Sequence, residues 1–217
     1  IPLKIYINNL MENLIEKYNV SRETFSKLKT YEASLKEWQK KFNLVSNASL
    51  DDAWNRHFVD SLQLLPLIPE KAKIMYDFGS GAGFPGLVLA TVLQKKTPYL
   101  KIKLIESVKK KTLYLNAVVE LLKLDNVEIL NDRIENIRKV TADVITSRAM
   151  CNLNDLLQYA SGFCGKKTKC IFPKGKKYAE EISEAQKNWN FNYELVQSIS
   201  SDEGMIIVIT DLSGKRR

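Results

Sequence analysis

The chain has 217 residues, 45% hydrophobic and 27% charged, with a formal net charge of +8. That length suits one domain with a generous core, or one domain plus a small appendage, and the composition is ordinary for a globular protein. No apolar run approaches the roughly 18 residues that cross a bilayer. Lys4, Glu12, Glu16 and Lys17 interrupt the amino-terminal stretch, so neither a membrane span nor a signal peptide is expected. Cys151, Cys164 and Cys170 form no CxxC pair and stand beside a single histidine, which offers neither a zinc site nor a disulfide framework and points to a reducing, cytoplasmic compartment. Positive charge clusters at Lys109–Lys111, Lys166–Lys169, Lys174–Lys177 and Lys215–Arg217. Such clusters attract polyanions, although a solvated surface would carry them equally well.

The first third reads helical. Ser21 is placed to cap a helix in which Phe25, Leu28, Leu35, Trp38 and Phe42 recur at multiples of three and four. A second start is expected at Ser49, with Asp52 completing a capping-box-like arrangement, Trp54, Phe58, Leu62 and Leu65 on one face, and Pro66 and Pro69 as the stop. From about residue 73 strands alternate with helices: strands at Ile74–Phe78, Lys101–Ile105, Val127–Leu130, Ala142–Thr146 and Lys169–Phe172, and helices at Gly86–Gln94, Lys110–Leu124, Leu153–Ser161 and Tyr178–Lys187. Two final strands, Glu194–Ile199 and Met205–Thr210, should form an antiparallel hairpin at the sheet edge. The expected fold is therefore α/β, a Rossmann-like mixed sheet of seven strands with helices on both faces. A helical region over 1–70 precedes the α/β domain over 71–217.

The segment Tyr76-Asp77-Phe78-Gly79-Ser80-Gly81-Ala82-Gly83-Phe84-Pro85-Gly86 ends the first strand. Glycines there allow a tight turn and close approach of a ligand. Gly81, Gly83 and Gly86 also satisfy the dinucleotide fingerprint, so glycine spacing alone leaves an NAD-dependent dehydrogenase open. Three features favour S-adenosyl-L-methionine and the class I methyltransferase fold. Asp77 completes D-x-G-x-G-x-G and can hold an ammonium group, directly or through water. Glu106 ends the second strand, where a carboxylate can accept both ribose hydroxyls. Ile134 and Glu135 follow the third strand, placed to edge an adenine. A dehydrogenase is further weakened because no histidine follows the loop to donate a proton.

Between Glu37 and Ile209 the chain resembles the RsmG (GidB) family of small-subunit rRNA methyltransferases. The resemblance is carried by Arg56-His57-Phe58-Val59-Asp60-Ser61-Leu62, by Asp77–Gly86, by Ser147-Arg148-Ala149 and by Pro173-Lys174-Gly175. It implies methyl transfer to guanine N7 in the 530 loop of 16S rRNA, within the 30S subunit, with cofactor contacts at Gly79, Phe84, Ile134, Glu135 and Arg148. Gly81 belongs to the same cofactor loop. One departure stands out: the arginine that family members often carry before the last strand is replaced by Asp202-Glu203-Gly204-Met205.

Guanine N7 has a lone pair and no proton, so its methylation needs alignment and charge management rather than a base. Arg148 is expected to orient base or cofactor, and Lys174 to grip RNA phosphate or guanine O6. Lys110 and Arg133 are further RNA candidates on the same rim. His57 is expected to pack a helix or position RNA rather than move protons. The target guanine should be unpaired, the helical region should dock rRNA, no metal is expected, and the protein should be a monomer. A non-catalytic rRNA-binding assembly factor that kept a methyltransferase fold is the remaining alternative.

Overall fold

The computed structural model describes residues 16–215 and residue 12. Lys4, and Arg216 and Arg217 of the basic tail, lie outside the described residues. Seven strands form one sheet in the order β3-β2-β1-β4-β5-β7-β6. They are β1 (Ile74–Phe78), β2 (Lys101–Ile105), β3 (Val127–Leu130), β4 (Ala142–Ser147), β5 (Cys164–Lys174), β6 (Trp189–Gln197) and β7 (Met205–Gly214). The first five run parallel, and β7 lies antiparallel between β5 and β6. Register brings Phe78 opposite Ile105 and Ser147, and Ile105 opposite Leu130, so four strands end together along one rim.

The pleat sorts side chains to two cores. Met75, Ile102, Leu104, Val144, Ile171, Ile206 and Val208 face one; Tyr76, Phe78, Ile145, Cys170, Phe172, Ile207 and Ile209 face the other. Burial on both faces explains the nearly unbroken apolar runs of β1 and of Met205–Ile209 in β7. The first core is covered by α1 (Arg22–Gln39), α2 (Asn47–Asp51), α3 (Asp60–Leu62), α4 (Gly86–Lys96) and α5 (Lys109–Leu122), while α6 (Leu153–Ser161) and α7 (Tyr178–Ala185) close the second. Leu28, Tyr31 and Leu35 of α1 are at most 1% exposed and belong to the same core as the sheet, so the helical segment and the sheet are held by one apolar cluster. Among the described residues no helix is long and apolar enough to cross a membrane.

Three expectations need correction. The second helix is capped by Ser46, whose hydroxyl accepts from Ser49 N–H at 3.3 Å; Ser49 itself lies inside the helix and donates to the Ser46 carbonyl. The segment Trp54–Val59 is then wound as a π-helix, with Asp60 N–H reaching back to the Asn55 carbonyl. The extra residue per turn turns Trp54, His57, Phe58 and Val59 all inward. Finally, β5 and β7 run further than expected, and β6 starts and ends earlier. Lys166 and Lys167 of β5 and Asn190, Glu194 of β6 are exposed, so these stretches lack the apolar alternation that marks a half-buried strand.

Candidate active site

The glycine loop leaves β1 through three residues of positive φ, Gly79 (63°), Gly81 (58°) and Gly83 (91°). α1 braces it from outside. The Tyr31 hydroxyl donates to the Ala82 carbonyl at 2.5 Å, and its ring stacks on Phe84 at 5.3 Å. A side chain at Gly83 would strike that hydroxyl. Asp77 sits beneath the loop with no exposure. Its Oδ1 accepts from Thr146 Oγ1 at 2.8 Å and its Oδ2 from Gly86 N–H at 3.3 Å. Burial pushes its pKa up to about 6 despite those hydrogen bonds. The carboxylate expected to hold an ammonium group, directly or through water, is covered here, and it ties β1 and β4 to the start of α4.

Against the loop lies an open cavity of about 400 Å3 that brings together Gly79, Glu106, Arg133, Ile134 and Glu135, five residues singled out from the sequence. It is completed by Asp132 of the same segment, by Lys111 of the first lysine cluster, and by Met150 and Tyr159, which the sequence did not single out. Glu106 is 6% exposed and anchored at both oxygens, Oε2 accepting from Gly81 N–H at 2.9 Å and Oε1 from Val108 N–H at 2.8 Å. Each oxygen keeps a second lone pair, so a vicinal diol can donate to both. Glu106→Gln turns one oxygen into a donor that faces a backbone N–H and removes charge-assisted bonds of about 1.5–3 kcal/mol each. Affinity for S-adenosyl-L-methionine, measured by calorimetry, is expected to fall about tenfold or more; an unchanged dissociation constant would place the ribose elsewhere. Gly81 contributes through this N–H rather than by lining the cavity.

Arg148 and Lys174 meet in a second cavity of about 340 Å3, which adjoins the first along Ala149 and Cys151. Ala149 holds a φ of 52°, a costly conformation for a residue with a Cβ. The Arg148 guanidinium donates to the Arg56 carbonyl (2.7 Å), Asp60 Oδ2 (3.2 Å) and His57 Nδ1 (2.8 Å), and lies 5.4 Å from the Phe84 ring centroid. Phe84 is 3% exposed and reaches the site only through this stack with His57, Tyr31 and Arg148. Lys174 donates to the Cys151 carbonyl (2.8 Å) and to Glu181 Oε2 (2.7 Å). With its charge so paired, the free grip on RNA phosphate expected of Lys174 is not what the arrangement presents. Lys110 is exposed at the start of α5, over Phe42, and lines neither cavity. In the loop that lacks the expected arginine, Ser198, Ser201 and Gly204 line the second cavity instead.

His57 is 6% exposed and does not reach the surface as an RNA contact would. Because arginine only donates, Nδ1 must be the acceptor and the neutral ring carries its proton on Nε2, which has no partner among the described residues. Burial, with the charges of Arg148 and Arg56, holds its pKa down to about 3. The unfolded ring titrates near 6.5, so the stability that depends on neutral His57 is complete above that pH and is lost as pH falls toward 3. Asp77, raised rather than lowered, has the opposite slope between about 6 and 3.8 and masks part of the effect. The stability difference between wild type and His57→Gln should therefore change by about 1.4 kcal/mol per pH unit below 6.5. Urea unfolding at several pH values reads this directly, and a pH-independent difference would contradict it.

Among the described residues no group of three or more His, Cys, Asp or Glu side chains is placed to hold a metal ion. The strand order, the glycine loop and an acidic residue at the end of β2 together define a class I methyltransferase fold. Solved structures agree on that fold. A SAM-dependent methyltransferase from Aquifex aeolicus superposes with a TM-score of 0.57 at 18% identity, covering 75% of this chain and 95% of that one. TYW2 of M. jannaschii in complex with AdoMet gives 0.53 at 13% identity, covering 79% and 78%. Residues 24–206 match the family rRNA small subunit methyltransferase G, and the chain belongs to it. Ribosomal RNA small subunit methyltransferase G of Orientia tsutsugamushi (strain Ikeda) is 43% identical over 88% of this chain and 93% of its own length. The protein of that name in Paramagnetospirillum magneticum is 37% identical over 94% and 97%.

Proposed function

We propose that this protein transfers the methyl group of S-adenosyl-L-methionine to N7 of a guanine in 16S rRNA of the small ribosomal subunit. The observation that carries the reading is the pair of cavities joined along Ala149 and Cys151, one built around the glycine loop and the other around Arg148 and Lys174, in a chain of this family. The first cavity fits the cofactor. Gly79 offers a surface with no side chain, Glu106 offers two anchored acceptors for the ribose, and Ile134 and Glu135 offer an apolar and a polar edge for the adenine. When bound, S-adenosyl-L-methionine supplies an electrophilic methyl group on a sulfonium.

In the second cavity no side chain has to remove a proton, since N7 presents a bare lone pair. The groups there are consistent with that economy. Asp60 and Glu181 are each held by a cation, and His57 Nδ1 is occupied by Arg148. N7 gains positive charge as it is methylated, and Asp60 and Glu181 balance Arg148 and Lys174 so that the wall does not oppose it. The base must leave its stack to enter. Exposed Lys36, Lys40 and Lys41 of the helical region, with Lys109 and Lys110 at the start of α5, provide basic surface for rRNA phosphates. We assign the region over 1–70 to rRNA docking, within the 30S particle, by a cytoplasmic monomer.

The test is transfer of labelled methyl from the cofactor to small-subunit particles lacking the modification. Incorporation into 16S rRNA is expected, and it should fall steeply with salt. S-adenosylhomocysteine binding without any transfer would favour the non-catalytic assembly factor.

A further inference from the structure

One wall of the second cavity carries a donor and an acceptor side by side. Lys174 ends β5, Glu181 stands in the first turn of α7, and Nζ lies 2.7 Å from Oε2. Oε2 also accepts from Leu153 N–H at 2.7 Å, whereas Oε1 accepts no hydrogen bond among the described residues. Lys174 has three ammonium protons and commits two, to Glu181 and the Cys151 carbonyl. The pair thus keeps one spare donor next to one spare acceptor. The opposite carboxylate is more fully spent: Asp60 Oδ1 accepts from Ser200 Oγ (2.6 Å) and Gln63 Nε2 (2.9 Å), and Oδ2 accepts from Arg148.

N7 is an unprotonated lone pair in adenine as well as in guanine, so nucleophilicity alone cannot select the base. The neighbouring ring positions differ. Guanine presents the acceptor O6 followed by the donor N1–H; adenine presents a donor amine followed by the acceptor N1. We propose that Glu181 is a specificity-determining residue that accepts from N1–H while Lys174 donates to O6. Guanine then complements the pair, and adenine sets donor against donor and acceptor against acceptor. This rests on the guanine-N7 reading above and adds to it the group that chooses the purine.

The experiment uses small-subunit rRNA assembled by ligation, with guanosine or 2,6-diaminopurine riboside at the modified position. Diaminopurine keeps N7 and the 2-amine and reverses only positions 6 and 1. Wild type should transfer methyl to the diaminopurine substrate about a hundredfold more slowly or worse. Glu181→Gln can turn an amide N–H toward a bare N1, so the ratio of the two rates should shrink about tenfold or more, with S-adenosylhomocysteine affinity unchanged. A merely structural residue would slow both substrates alike and leave the ratio intact, which would overturn the proposal. Equal wild-type rates on the two substrates overturn it whether or not the variant folds. No transfer to the guanosine substrate by wild type that still binds S-adenosylhomocysteine sinks the guanine reading itself, and this inference with it.

Discussion

Gly79→Asp is expected to abolish binding of S-adenosyl-L-methionine while leaving a folded protein. Gly79 holds φ at 63°, where an L side chain is strained, and a Cβ there would come within 2.8 Å of Met150 Cγ and Sδ. Met150 is a flexible side chain and can give way, so the fold should survive. The added carboxylate then stands in the cavity opposite Glu106 and Glu135. It adds like charge where the ribose and adenine need acceptors, and bulk where the cofactor needs open backbone. Calorimetry should detect no binding at concentrations that saturate wild type, and circular dichroism should stay native. Near wild-type affinity would move the cofactor to another part of the rim.

Arg148→Ala should be the most damaging change outside the glycine loop. One guanidinium holds the Arg56 carbonyl, His57 Nδ1 and Asp60, and Asp60 in turn holds Ser200 of the loop that lines the second cavity. The Arg148 and Asp60 side chains are 20% and 14% exposed, so removing one charge strands its partner largely away from water. The expected loss is about 2–3 kcal/mol of stability, read by urea unfolding, a little below the range for a fully buried pair. Methyl transfer should fall about a hundredfold, the scale of a small misplacement at a reacting centre. Arg148→Lys should rescue little, because one ammonium cannot match three acceptors set for a planar fork. Full activity in the lysine variant would reduce Arg148 to a simple charge.

The central sheet could be read from residues alone because β1 to β4 are short strands rich in Ile, Leu and Val, and β1, β2 and β3 are set apart by the helices α4 and α5. The edge hairpin of β6 and β7 was legible too, but not where β6 begins, since an edge strand with Asn190, Asn192 and Glu194 turned to water carries little apolar pattern. The π-wound turn at Trp54–Val59 also left no trace, because its apolar spacing matches an α-helix over a single turn. The cofactor cavity was half legible. Gly79, Glu106, Ile134 and Glu135 follow strand ends in fixed order, whereas Lys111 is one lysine among three and only the rotation of α5 selects it. Glu181 gave no signal: beside Glu180 on an amphipathic helix it reads as a solvated charge. Its partner Lys174 lies on another element, and only the fold sets the two 2.7 Å apart. For Asp77 the residue was noticed but the depth was not, whereas for His57 packing was one of two readings and its burial favours it; depth decides what a titratable group can touch.

The measurement that bears most directly on the whole account is the chemical identity of the product. Small-subunit rRNA methylated by this protein should be analysed by borohydride and aniline treatment and by mass spectrometry of the fragments. Chain cleavage is expected at a single guanine, as for 7-methylguanosine, and His57→Gln should retain transfer. A methylguanosine that resists borohydride, or complete loss of transfer in a folded His57→Gln protein, would contradict it.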